Sequence, residues 1–412
     1  MAVTPRQTAD STALLRRLDS KVGSLKSEMV EFTKKLVKIR TENPPGKNYG
    51  ELVSAIKKLA DASGFETKIY GKSGKPNLVI TWNVGSKHTL HINGHYDVVP
   101  AVGAWKHAPF EPVIEDGKLF GRGAADSKSN ICAVIYAAKA MKELGMKPAC
   151  NLELSFTCDE ESGGVDGLGY LVAEKLVKPD FAIVADGPVR GINNAHKGVL
   201  ALKITVVGKS AHAAWPQRGV NAFLGAGKLA IELNGLNTKL GKVKSRCDTS
   251  EEVEKSPTIV PGGRAEGGVK FNSVPGEFSF TIDRRIIPEE KISDAKDELL
   301  AAINAFSRKN PEYGVIIETI LEAKPSFADK NCKISKALSR SIKSVKGEAP
   351  NYYLLPGFLD MRYLVNEAKI DCVNYGTAGG NEHGVDEFVY ADSILDLVKI
   401  FVLTAMDKEL EA

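Results

Sequence analysis

Ile92-Asn93-Gly94-His95-Tyr96-Asp97-Val98-Val99-Pro100 is the stretch on which the reading of this chain turns. The segment before it, Thr89-Leu90-His91-Ile92, alternates as a buried strand does on its way out of a core. His95 and Asp97 follow, two residues apart. In extended backbone, positions i and i+2 point to the same side, so both side chains can face one site. One reading is a metal-binding His steadied by a neighbouring carboxylate. The other is a strand-end His and a turn Asp before Pro100. This stretch alone leaves both open.

The flanking sequence carries more of the same chemistry. Strand Leu152 to Thr157 runs into Asp159-Glu160-Glu161-Ser162-Gly163-Gly164, with a helix expected over 166–177. Strand Phe181 to Ala185 runs into Asp186-Gly187-Pro188. His95, Glu160, Glu161 and Asp186 therefore all fall just past the carboxyl ends of apolar strands, where open α/β sheets place their ligands. Asp126, in Gly121-Arg122-Gly123-Ala124-Ala125-Asp126-Ser127-Lys128, precedes a helix with Ile131, Ile135, Ala138 and Met141 on one face. It is readable as an N-cap or as a ligand. His107, in the loop with Trp105 and Pro109, reads as a loop His with substrate contact as the alternative.

Upstream, Leu15, Leu18, Val22, Leu25, Met29, Phe32 and Leu36 recur at spacings of three and four and predict a helix over 12–40. Asn43-Pro44-Pro45-Gly46 ends it, a second helix covers 49–62, and strands are expected at 66–70, 77–83 and 87–93. Strand and helix alternate through residue 186, which predicts a mostly parallel α/β sheet. From about Lys197 the texture changes. Strands at 200–207, 268–273 and 277–284, helices at 220–234 and 289–307, and an exposed loop at 236–256 predict an inserted α+β unit. With the strand at 314–320 that follows them, these make two helices and about four strands, although the boundary is drawn at 313. Helix 331–346, a helix opened by Pro356-Gly357-Phe358-Leu359-Asp360-Met361-Arg362, strand Cys372 to Tyr375 and helix 391–408 follow. The expected division is 1–196 and 314–412 for one domain, with 197–313 inserted.

A chain of 412 residues exceeds the size at which one core stays single, which agrees with that division. The 55 basic and 51 acidic residues nearly balance, so charge gives no argument for a nucleic-acid or membrane partner. No apolar run reaches the roughly 18 residues of a membrane span. Met1 to Ser11 is polar and lacks a signal-peptide core. The six cysteines are scattered without a Cys-x-x-Cys pair, which argues against disulfide scaffolding and thiolate metal sites and fits a reducing cytoplasm.

These motifs resemble the co-catalytic zinc metallopeptidase/deacylase family of acetylornithine deacetylase, succinyl-diaminopimelate desuccinylase, aminoacylase, glutamate carboxypeptidase and the dipeptidases. The resemblance runs from about residue 30 to the C-terminus. It implies a mostly parallel-sheet catalytic domain of phosphorylase/hydrolase-like type with a two-layer lid and dimerisation insert. His95 resembles the first-motif His and Asp97 the Asp that orients its ring. Asp126 resembles the carboxylate bridging two metals, Glu160 the general base, and Glu161 a ligand of one metal. Asp186 looks like the carboxylate on the other metal, shared with His95. His383, in Gly379-Gly380-Asn381-Glu382-His383, resembles the late His that pairs with Glu161. In the insert, His212 looks like the His that reaches across a dimer to the scissile carbonyl. Asn272 and Arg285 resemble substrate-contacting residues, and so do Gly357 and Arg362 in a further loop. Three carboxylates and two neutral imidazoles against two dications leave one net positive charge, enough to hold and ionise a water. With no thiolate in the set, zinc is the expected metal, with cobalt and manganese as alternatives.

The implied function is hydrolysis of the amide bond of an N-acyl amino acid in amino-acid metabolism, by a homodimer. The alternative is a metallo-exopeptidase acting on short peptides. Asp186 stands where most deacylases and carboxypeptidases have Glu, which favours the alternative, whereas Gly187-Pro188 resembles the deacylase turn. Ser127-Lys128 departs from the family's usual Met and Lys. Gly357-Phe358-Leu359-Asp360 replaces two hydroxyl residues by bulky apolar ones, so no member's specificity transfers. An inert binding relative would lack a ligand, the base or the insert His, and none is missing.

Overall fold

Burial on both faces puts strand Thr89–His95 at the centre of the main sheet, because only helices on either side can cover it. In the computed structural model, which describes residues 5–411, it pairs in parallel with Asn151–Thr157 on one side and Phe181–Val184 on the other. Asp371–Asn374 adds a further parallel strand beside Phe181–Val184. The hairpin of Glu66–Lys72 and Lys75–Trp82 closes one flank antiparallel, and Ile192–His196 starts the other. The core of this sheet is thus parallel, as the alternation of strands and helices predicts. Met1–Thr4 and Ala412 lie outside the described residues, and with them the first part of the polar N-terminal segment.

The chain forms two compact units. The first comprises residues up to Asn194, Ala328–Tyr352 and the stretch from Tyr363 onward; the second comprises Ala195–Phe327 and Tyr353–Arg362. In the first unit, helix Pro5–Lys38 buries Leu18, Val22, Leu25, Met29 and Leu36, the stripe its spacing predicts. Helix Ser129–Glu143 buries more than one face. Cys132, Ala133, Val134 and Tyr136 are covered as well as Ile131 and Ile135, because helices Pro5–Lys38 and Ala391–Ala405 both pack on it. The expected helix at 166–177 contracts to Leu168–Ala173, where Gly163, Gly164 and Gly167 delay its start.

The second unit is built on a four-stranded antiparallel sheet packed against two long helices. Thr258–Gly267, Glu277–Ile286, Gly198–Val207 and Gly314–Ala323 pair in that order. Leu200, Leu202, Ile204 and Val206 point from the sheet into a core shared with Leu229 and Leu233 of helix Ala222–Gly235 and Leu299, Ile303 and Phe306 of helix Ile292–Lys309. Two features depart from the sequence reading. The strand is Thr258–Gly267, not 268–273: Gly267 and Gly268 take positive φ where it ends, while Pro261 and a bulge between Pro261 and Ala265 hide the alternation. The unit also continues past residue 313, because Gly314–Ala323 pairs along Gly198–Val207 rather than with the parallel sheet.

A small antiparallel sheet in the first unit had no sequence signal. Gly379–Gly380, Phe388–Tyr390, Lys118–Phe120 and Val113–Glu115 join in that order. Each strand is two or three residues long, too short for a periodic pattern. Among the described residues, all six cysteines are free thiols and no helix is long and apolar enough to cross a membrane.

Candidate metal centre

The parallel strands deliver their carboxyl ends to one edge of the sheet. His95 ends its strand and is almost wholly buried. Its Nε2 lies 2.9 Å from Asp126 Oδ1 and 3.3 Å from Asp186 Oδ1. Asp126 enters from the segment Ala124–Lys128, where its backbone leaves helical geometry (φ −119°, ψ 88°) just before helix Ser129–Glu143. Its other oxygen, Oδ2, lies 3.2 Å from His383 Nε2, which is in turn 3.1 Å from Glu161 Oε2. Two clusters result, His95/Asp126/Asp186 and Asp126/Glu161/His383, each with its ligand atoms within 4.8 Å of one another. Asp126 belongs to both and offers one oxygen to each.

Asp97 has a wider set of partners than its sequence reading anticipates. The nearest acceptor to His95 Nδ1 is the Asp97 backbone carbonyl at 3.0 Å, with the carboxylate at 3.6 Å. The carboxylate itself accepts the backbone N–H groups of Glu160 and Glu161, both at 3.2 Å, and the Asn43 side-chain amide at 2.9 Å. Asp97 therefore ties the end of one strand to the turn after the next. Within that turn the two glutamates diverge. Glu161 Oε1 accepts the Val99 N–H at 3.1 Å while Oε2 faces His383. Glu160 is buried and belongs to neither cluster. Asp186 is held by Asn374 Oδ1 on its N–H and accepts the Gly187 N–H at 2.8 Å.

Electrostatics follow from crowding three carboxylates and two imidazoles. Burial opposes a charge on Asp126, yet hydrogen bonds from His383 and His95 hold it well below the ordinary carboxylate range. Burial disfavours protonated His95 more than any other single influence, but the charge of Asp186 and the hydrogen bonds to Asp126, Asp186 and Asp97 together outweigh it and push the ring up. Hydrogen bonds to Asp126 and Glu161 raise His383 to about 11. Burial, then the charge of Asp126, raises Glu161 to about 7. The donor set fits divalent metal: each trio supplies one imidazole nitrogen and two carboxylate oxygens, and bonds of about 2 Å hold ligand atoms about 3–4 Å apart.

The other candidates lie elsewhere. His212 is exposed, paired in register with Ser273, and its Nδ1 accepts the Ala214 N–H at 3.1 Å. The Asn272 carbonyl accepts the Ala213 N–H at 3.0 Å, so these two sequence candidates come together in the second unit. Arg285 is engaged by Asp283, with contacts of 2.8 and 2.9 Å along the same strand. Arg362 stacks over Phe358 at 6.0 Å, close to Gly357 in sequence. His107 packs on Phe120 with ring centroids 4.2 Å apart and bonds Glu115 at 2.8 Å. Sequence reasoning missed Glu387 and Arg122. Both are fully buried at the centre, and the available signal was a second acidic residue four positions after His383.

A sheet-edge cluster of imidazole and carboxylate on this fold defines a metal-dependent hydrolase. The particular family is shown by comparison: residues 91–407 match Peptidase family M20/M25/M40, and the chain belongs to it. An uncharacterized metallohydrolase of Methanocaldococcus jannaschii is 33% identical over 355 residues, covering 77% of this chain and 84% of the relative. A succinyl-diaminopimelate desuccinylase of Nitratiruptor is 25% identical, covering 91% and 98%. Among solved structures, a di-peptidase from Saccharomyces cerevisiae superposes with a TM-score of 0.80 at 17% identity, covering 97% of this chain and 99% of that one.

Proposed function

We propose that this protein is a binuclear zinc hydrolase that cleaves the amide bond of an N-acyl amino acid. The observation that carries the binuclear reading is Asp126, whose two oxygens face two different histidines and so belong to two ligand trios. His95 and Asp186 would hold one ion, Glu161 and His383 the other, with Asp126 between them. Zinc bound there supplies Lewis acidity and lowers the pKa of water.

The protein's own groups do the rest. Glu160, adjacent to ligand Glu161 but outside both trios, is assigned as the base that takes a proton on its carboxylate and returns it to the leaving nitrogen. Asp97 keeps the His95 ring and the Glu160 backbone in register. His212 is assigned as the donor to the developing oxyanion. Its Nδ1 accepts a backbone N–H, which leaves Nε2 carrying the proton in the neutral ring. Asn272, Arg285, Gly357 and Arg362 are assigned to substrate binding, with Arg285 exchanging Asp283 for a substrate carboxylate.

Deacylation is favoured by the desuccinylase relative, whose similarity spans nearly the whole chain. The second reading, a dipeptidase or carboxypeptidase, is favoured in its dipeptidase form by Asp186 in place of Glu and by the di-peptidase fold likeness. Homodimerisation through the second unit is supported by its exposed apolar surface, with Phe223, Leu224 and Ile231 on one helix and Ile316 and Ile320 on an edge strand. The reducing cytoplasm remains the compartment that six free cysteines suit. The deciding experiment incubates zinc- or cobalt-loaded protein with N-acetyl and N-succinyl amino acids beside a dipeptide panel. Turnover of the acyl amino acids is expected; turnover of dipeptides alone would replace the first reading by the second.

A further inference from the structure

Residues 383–387, His-Gly-Val-Asp-Glu, present two side chains to Asp126 from one short loop. His383 reaches its carboxylate, and Glu387 reaches its backbone. The Glu387 carboxylate accepts four hydrogen bonds. Oε1 takes the N–H groups of Ala125 at 2.9 Å and Asp126 at 3.0 Å; Oε2 takes the Gly123 N–H at 3.0 Å and Arg122 Nη1 at 2.5 Å. Its carbonyl accepts the Gly121 N–H at 2.9 Å, continuing the pairing of Phe388 with Phe120. Arg122 then closes the ring, because its Nη2 donates to the Gly384 carbonyl at 2.9 Å, one residue after the ligand His383. Glu387 and Arg122 are 0% and 1% exposed.

The loop is not helical, so the four-residue spacing alone would not align His383 with Glu387. Asn381, His383 and Asp386 all take positive φ, between 52° and 60°, a region that disfavours residues with a Cβ. Asp386 holds the bend by accepting the backbone N–H groups of Lys106 and His107 at 3.0 and 2.9 Å. Converging N–H groups of Gly123, Ala125 and Asp126 form a concavity for an anion, and a residue of the chain itself fills it.

From this geometry we propose that Glu387, clamped to Arg122, is a positioning residue that fixes the bridging carboxylate Asp126 against His383, and so sets the affinity of the Asp126/Glu161/His383 site for divalent metal. The proposal rests on the metal-hydrolase reading above. It assigns the second acidic residue of the loop a task distinct from metal binding and from proton transfer: Glu387 belongs to neither ligand trio, and acts through the main chain of Asp126. Gln at 387 turns one acceptor oxygen into a donor facing N–H groups and leaves the Arg122 charge buried without its partner.

The test compares wild type, Glu387→Gln and Arg122→Lys, each stripped of metal and titrated with zinc against a chromophoric chelator, then loaded with cobalt for visible spectroscopy. Wild type should bind two ions. Glu387→Gln, with wild-type far-UV circular dichroism, should bind the first ion normally and the second about 10–100-fold more weakly. Its cobalt spectrum should change in the second equivalent only, and kcat should fall with KM within about twofold. Two ions bound with wild-type affinity and an unchanged spectrum would overturn the proposal. Should Glu387→Gln fail to fold, Arg122→Lys keeps the carboxylate and its three N–H donors but loses the tie to Gly384. It should weaken the second ion by up to about 10-fold, and unaltered binding there would equally overturn it. A wild-type protein that binds no metal would instead remove the functional reading on which the proposal stands.

Discussion

Asp97 holds Glu160 by its backbone: Asp97 Oδ1 accepts the Glu160 N–H at 3.2 Å while lying 3.6 Å from the His95 ring. One carboxylate thereby spaces the assigned base from an assigned ligand across two neighbouring strands. Asp97→Asn cannot preserve this. Either orientation of the amide sets NH2 against an N–H donor, since Glu160 donates to one oxygen while Glu161 and Asn43 donate to the other. The variant should lose about 10–100-fold in kcat/KM and about 1–3 kcal/mol in stability. Steady-state kinetics with denaturant unfolding measures both, and wild-type kinetics in Asp97→Asn would contradict the coupling.

Glu160 stands beside the assigned ligand Glu161 but outside both trios. Glu160→Gln should therefore retain both ions by elemental analysis yet lose activity by about 10²–10⁴-fold. If metal content falls together with activity, Glu160 is a ligand and the proton-transfer assignment fails.

His383 and His95 serve different trios. His383→Ala leaves His95, Asp126 and Asp186 intact, so it should bind about one ion where wild type binds about two. His95→Ala should show the complementary loss, and the double variant should retain essentially none. Stoichiometry by mass spectrometry under non-denaturing conditions distinguishes these outcomes from a single shared site, in which either substitution alone would empty the protein.

Acid stability has a specific source in the second unit. His196 is fully buried, its Nδ1 donating to the Lys197 carbonyl at 2.8 Å. Burial pushes its pKa down to about 4, with the charge of Arg362 acting in the same direction against the bond to Lys197. In the unfolded chain the ring titrates near its ordinary 6.5. Between these values the unfolded state binds a proton that the folded state excludes, so unfolding is favoured as pH falls. The contribution is fully present above pH 6.5 and declines toward pH 4, on the order of 3 kcal/mol in all. His196→Gln should flatten the fall of Tm over that window; parallel Tm profiles for variant and wild type would rule the source out.

The sequence by itself determined the chemistry and the edge at which it gathers. Strand alternation before His95, Glu160 and Asp186 marks where each strand ends, and a parallel sheet puts those ends on one side. Residue type is local information, so candidate ligands are legible one strand at a time. Their division into two trios is not. Asp126 is shared because its two oxygens face histidines 31 residues before it and 257 after it, distances that only the folded chain closes. The same holds for Asp97, which looked like a partner for His95 and also carries the Glu160–Glu161 turn, and for Glu387, which looked like an ordinary acidic residue and anchors the Asp126 backbone from more than 260 positions away. Strand Gly314–Ala323 makes the point for the fold: its pattern announces a strand, but alternation gives only which face is apolar, and the choice of partner came from the core it shares with Gly198–Val207. Side-chain periodicity is written residue by residue, whereas the bonds that hold this centre in place join a carboxylate to backbone N–H groups of a distant segment, and no local pattern marks which segment that is.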